Sequence, residues 1–159
     1  MRFNPLFMDR AIELAQLAYT SKKGLPIGCV IVKEEKIVGE GHNEIFLRTN
    51  PTSHAEMVAI ENACSNMGSL DLSGCALYTT LEPCPMCLAG VYWDRLEVIY
   101  YACSNEDATE IGFSDSFIFN ELVASPDKRL IQAHHILSQG AKKVMQDWKS
   151  QGISARQPW

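Results

Sequence analysis

The chain has 159 residues, 47% of them apolar and 21% charged, which is the make-up of one globular unit and excludes disordered and fibrous classes. Fourteen Lys and Arg against nineteen Asp and Glu leave a net charge of −5, which disfavours a polyanionic partner. No apolar run reaches the ~20 residues of a membrane span, and Met1 to Pro5 lacks the apolar stretch of a secretory signal, so a soluble, cytoplasmic protein is expected.

The charge is unevenly spread. No basic residue lies between Arg95 and Lys128, whereas Glu97, Glu106, Asp107, Glu110, Asp115, Glu121 and Asp127 are acidic. A nucleic acid would be repelled along that segment, and none is expected as a partner. Of the six cysteines only Cys84 and Cys87 are closely spaced. Cys29, Cys64, Cys75 and Cys103 read as small buried hydrophobes of a reducing compartment.

In chain order, Asn4 before Pro5 is a helix start, and Phe7, Ala11, Leu14, Ala15 and Ala18 recur at helical spacing until Gly24. Gly28 to Val32 is a continuous apolar run suited to a central strand, and Lys36 to Gly41 follows closely enough to make a hairpin. His54 to Met67 is apolar almost all round and predicts a buried helix. Cys75 to Thr80 reads as a strand, Pro85 to Asp94 as a short helix and Leu96 to Ala102 as a strand parallel to the previous one. Ile131 to Leu137 is expected as a fifth strand and Ala141 to Lys149 as a closing helix. The expected fold is α/β, a three-layer α/β/α sandwich around a mixed five-stranded sheet, in a single domain over 1–159.

The chemistry concentrates in His54-Ala55-Glu56 and, thirty residues on, Pro83-Cys84-Pro85-Met86-Cys87, both at predicted helix starts. One His and two Cys make three zinc ligands, and three protein ligands with an open fourth position describe a catalytic zinc. One Zn2+ per chain is expected on His54, Cys84 and Cys87. A helix N-terminus favours the thiolates such a site requires. Glu56, in the same turn as His54, can carry a proton without ligating metal, and H-x-E with P-C-x-x-C is the signature of zinc-dependent base deaminases. Two plainer readings compete, a redox Cys pair and a structural zinc. His54 and Glu56 count against the first, and the lack of a visible fourth ligand counts against the second. His42, His134 and His135 have weaker claims, a lone His being more often a hydrogen-bonded residue than a ligand.

These motifs resemble the cytidine deaminase superfamily from the first helix to about residue 123. The likeness is to the small bacterial guanine deaminases of that fold. It rests on Asn50-Pro51-Thr52-Ser53-His54-Ala55-Glu56, on Glu82-Pro83-Cys84-Pro85-Met86-Cys87-Leu88, on Tyr92-Trp93, and on Ile111-Gly112-Phe113-Ser114-Asp115-Ser116-Phe117. The resemblance implies a homodimer and the hydrolysis of a small purine, guanine, to xanthine and ammonia. Alternatives are a guanosine or other nucleoside deaminase, a cytosine deaminase and a transfer-RNA adenosine deaminase. It implies further that Asn43 hydrogen-bonds the purine, that Asp115 assists at the amino group and that Trp93 packs near the ring. Ala55, Ile27, Phe113 and Trp159 complete the expected substrate contacts. Two features depart from the pattern: Ile27 stands where this family carries Phe, and residues 152–157 do not match the tail that is exchanged between subunits, although Trp159 ends the chain in an aromatic.

Overall fold

The structure is a computed structural model that describes residues 2–152. Two compact units divide the chain, residues 1–116 and 117–159, and each is described by itself.

The first unit is built on a four-stranded sheet in the order β2-β1-β3-β4, with β1 Gly28–Lys33, β2 Lys36–His42, β3 Cys75–Leu81 and β4 Val98–Cys103. β1 runs antiparallel to both β2 and β3, and β3 runs parallel to β4, so the sheet is mixed as the sequence predicts. Successive side chains of a strand point to opposite faces, and the two faces are covered by different helices. Cys29, Ile31, Cys75 and Leu77 face α2 Ala55–Met67 and α3 Pro85–Trp93, where they pack with Ala59, Ile60, Ala63 and Val91. Val30, Val32, Ala76 and Tyr78 face α1 Pro5–Thr20 and meet Met8, Ala11 and Leu14. The three-layer order expected from the sequence is therefore present in this unit.

The local causes are legible. Asn4 caps α1 by accepting the Leu6 N–H at 3.1 Å, with Pro5 at the position that needs no donor. Gly68, at φ +59°, ends α2 in the left-handed conformation that glycine adopts without cost. Gly41 lets α2 lie backbone to backbone on β2, because a Cβ there would stand 2.2 Å from the Ala55 carbonyl oxygen. The outer edge of β2 is covered from α2, one turn apart, by Asn62 Nδ2 donating to the Glu40 carbonyl at 2.8 Å and Asn66 Nδ2 to that of Val38 at 3.0 Å. These bonds take up acceptors that an exposed edge strand would otherwise offer to another chain.

After β4 comes α4 Asn105–Glu110, opened by a capping box in which Ser104 and Asp107 bond each other's backbone N–H. The acidic stretch thus holds a helix that charge counting alone does not reveal.

The second unit contains most of α5 Ser116–Val123, a 3-10 turn over Pro126–Lys128, and α6 Gln139–Ser150. The expected fifth strand is corrected here. Residues 132–138 have no regular structure, Ile131, Ile136 and Leu137 are exposed, and the sheet has four strands among the described residues. An apolar run becomes a strand only beside a ladder partner, and this unit is helical. Its backbone groups bond locally instead, with the Leu130 N–H donating to Glu121 Oε2 at 2.8 Å. α6 forms where periodicity predicts it, capped by Ser138 accepting from the Ala141 N–H at 3.2 Å.

Candidate active site

His54 and Cys84 occupy equivalent places, the N-cap residues of α2 and α3, both with extended backbone. N-cap side chains usually accept from the first turn, yet neither of these does so. Both turn instead toward one point, joined there by Cys87 from the first turn of α3. His54 Nδ1 lies 3.6 Å from Cys84 Sγ and 3.5 Å from Cys87 Sγ, and the two sulfurs are 3.6 Å apart. Zn–S and Zn–N bonds of ~2.3 and ~2.05 Å in tetrahedral geometry would set these edges at about 3.8 and 3.6 Å. The donor set and its spacing therefore fit zinc. This is the one His, Cys and carboxylate group of metal-holding geometry among the described residues.

Without metal the protons of the three groups are unevenly shared. Cys84 is pushed down to about 4 by the hydrogen bonds from Cys87 and His54, against burial. Cys87 is pushed up by its bond to the Cys84 sulfur and by burial. His54 is raised by its bond with Cys84. Zinc and protons thus compete for one set of atoms, and metal uptake releases protons.

Glu56, two residues into α2, is 3% exposed. Burial raises its carboxyl above the ordinary carboxylate range, opposed by backbone N–H bonding and the His54 charge. Its two oxygens have different partners. Oε1 accepts from the Thr79 hydroxyl at 3.1 Å, and Oε2 accepts from the Cys87 thiol at 3.5 Å. One oxygen is therefore tied to the sheet and the other faces the ligand cluster. A buried carboxyl with a raised pKa beside a metal site is suited to moving protons near neutral pH.

Asn43 follows β2 and is fully buried. Its Oδ1 accepts the N–H groups of Leu25 at 3.1 Å and Ile45 at 3.4 Å, which fixes the amide with nitrogen on the other side. That Nδ2 is the one buried side-chain nitrogen or oxygen among the described residues without a hydrogen-bond partner. Leaving such a donor unpaired costs about 1–3 kcal/mol, a cost recovered when a ligand acceptor arrives. Asp115 lies within the electrostatic reach of the cluster: burial raises its carboxyl and the Cys84 charge adds to this, with His54 opposing.

Ile27 and Phe113 line one cleft of about 360 Å³, together with Pro26, Leu81, Cys103 and Ile111. Its wall is mostly apolar, with Thr80, Asp107 and Glu110 also on it, and His54, Glu56, Cys84 and Cys87 are not among its lining residues. The Ile27 carbonyl accepts the Asn43 N–H at 2.9 Å, tying the cleft's edge to the buried amide. Ala55 is fully buried beside His54. Trp93 is not gathered to the cluster. It ends α3, nine residues after Cys84 and so about 13 Å along the helix, and is 68% exposed. Trp159 lies outside the described residues. Sequence reasoning missed Thr79. Its signal was a hydroxyl interrupting the stripe Cys75, Leu77, Thr79 that faces α2.

A three-ligand zinc centre at two helix N-termini, with a buried carboxyl two residues beyond the histidine, defines a zinc-dependent hydrolytic deaminase. The chain belongs to the cytidine and deoxycytidylate deaminase family, whose zinc-binding region matches residues 1–103. It is 40% identical over 144 residues to the guanine deaminase of Bacillus subtilis (strain 168), covering 91% of this chain and 92% of that one. A tRNA-specific adenosine deaminase of Aquifex aeolicus (strain VF5) is 33% identical over 142 residues, 87% of this chain and 93% of its own. The X-ray structure of guanine deaminase from Bacillus subtilis superposes with a TM-score of 0.89 at 37% identity, over 98% of both chains.

Proposed function

We propose that the chain deaminates guanine hydrolytically, guanine and water giving xanthine and ammonia. The observation that carries this reading is the likeness to Bacillus subtilis guanine deaminase over 98% of both chains, which takes in the Ile111 to Phe117 segment beyond the family region. The similarity to tRNA deaminases is lower, and the acidic run from Glu97 to Asp127 opposes a polyanionic substrate.

Zinc on His54, Cys84 and Cys87 supplies the acidity that provides hydroxide from water at neutral pH. Glu56 takes the water proton on Oε2 and delivers it to the ring nitrogen beside the carbon that bears the amino group, as hydroxide adds to that carbon. A second transfer through Glu56 protonates the amine, which leaves as ammonia as the carbonyl forms. Asn43 Nδ2 donates to an acceptor on the purine edge, Asp115 accepts from the amino group, and Ala55, Ile27 and Phe113 bound the ring.

Asn43→Asp keeps the oxygen that anchors Leu25 and Ile45 and replaces the free donor by an acceptor. The expected result is a fall in kcat/KM for guanine of about 10- to 100-fold, the worth of one buried hydrogen bond, with zinc content unchanged. Steady-state kinetics on zinc-assayed protein check it.

The proposal includes a cytoplasmic homodimer. Val144, Met145 and Trp148 on α6 and Ile131, Ile136 and Leu137 before it are exposed in the single chain, which supports burial against a second copy. All six cysteines are free, in keeping with a reducing compartment, and no described helix is long and apolar enough to cross a membrane. Trp159 is proposed to approach the substrate from the tail. Ammonia release from guanine, guanosine, adenine, cytosine and cytidine tests the substrate: turnover confined to guanine is expected, and preferential turnover of guanosine or cytosine overturns the assignment.

A further inference from the structure

We propose that Thr79 is a positioning residue that fixes the orientation of the Glu56 carboxyl and so turns its Oε2 toward the ligand cluster. The inference rests on the reading of Glu56 as the proton carrier. Thr79 is fully buried on β3, in register with Cys29, at the inward position after Cys75 and Leu77. Its branching at Cβ stiffens the side chain, so the hydroxyl has few alternative orientations. That hydroxyl has one proton to donate, and Glu56 Oε1 accepts it at 3.1 Å. Oε1 is thereby tied to the sheet. Oε2, 3.5 Å from the Cys87 sulfur, is the oxygen left facing the ligand cluster.

The consequence is directional. With Oε1 held to the sheet by the Thr79 hydroxyl, the carboxyl plane is fixed and Oε2 is presented to the ligand cluster. Without that bond the carboxyl can rotate about its last side-chain bond, and Oε2 is no longer held toward the cluster.

The test compares Thr79→Val, which keeps the branched shape and removes the hydroxyl, with Thr79→Ser, which restores it; Glu56→Gln is the reference. Zinc per chain, kcat, KM for guanine and the infrared carboxyl region are measured on zinc-loaded protein. The Glu56 band is identified as the one missing from Glu56→Gln. In Thr79→Val the expected result is kcat lowered about 10-fold or more, within the range of a lost proton-transfer contribution, with KM changed less than about twofold and zinc retained. The Glu56 band shifts in Thr79→Val and returns in Thr79→Ser, which recovers most of kcat. Wild-type kcat or an unmoved band in Thr79→Val, or a serine variant no better than valine, overturns the proposal. Loss of turnover in Glu56→Gln beside wild-type kcat in Thr79→Val sinks this proposal alone. Full turnover in Glu56→Gln removes the parent reading and this one with it.

Discussion

Glu56→Gln is expected to retain one zinc per chain and to lose guanine turnover by about 10²- to 10⁴-fold, the usual worth of a positioned acid and base. Glutamine keeps the shape of the side chain and an oxygen to accept from Thr79, so the bond at 3.1 Å that fixes the group survives in the variant. The change removes the capacity to take and return a proton. Burial already raises the carboxyl, which is the direction needed for a group that must be protonated and deprotonated in one cycle. KM is expected to change far less than kcat, because the step affected follows binding. Single-turnover kinetics with zinc analysis check it, and equal losses in binding and turnover would place Glu56 among the groups that hold substrate.

Cys84→Ser is expected to abolish metal binding. A serine hydroxyl is not deprotonated near neutral pH and cannot replace a thiolate that sits, even without zinc, near a pKa of about 4. The remaining His54 and Cys87 leave only two ligands of the three that the fold brings within 4.8 Å. Zinc affinity should fall more than about 100-fold, beyond the 10- to 100-fold lost on changing groups that merely orient ligands. Melting temperature also loses its dependence on added zinc, since a ligand that no longer binds the folded state no longer stabilises it. Calorimetry with and without zinc and a chelator competition read both effects. Undiminished zinc affinity would show that the cluster is not the metal site.

The ligand set was readable from the sequence because its spacing is local: Cys84 and Cys87 share one helical turn, and His54 and Glu56 share another. What brings the two turns together is the placing of α2 and α3 on one face of the sheet, which alternation in β1 and β3 implies but does not locate. Thr79 shows the limit. Its role depends on which α2 residue stands over the end of β3, a relation across 23 positions that no periodicity states. Asn43 was named through a resemblance, whereas its significance in the structure is the unpaired nitrogen left when its oxygen takes two backbone donors. The fifth strand failed for the converse reason. Ile131 to Leu137 has the composition of a strand, but composition does not supply a neighbouring ladder, and the segment's exposed apolar side chains need a partner that the described single chain does not give them.

The central claim is hydrolysis of guanine by the cluster of His54, Cys84, Cys87 and Glu56, and its most direct measurement is turnover of guanine by zinc-loaded protein in water enriched in oxygen-18. The expected product is xanthine carrying one solvent oxygen at the former amino carbon, with one ammonia per xanthine, and both are lost in Glu56→Gln. Zinc-replete, folded protein that forms no xanthine, or xanthine without solvent oxygen, would contradict it.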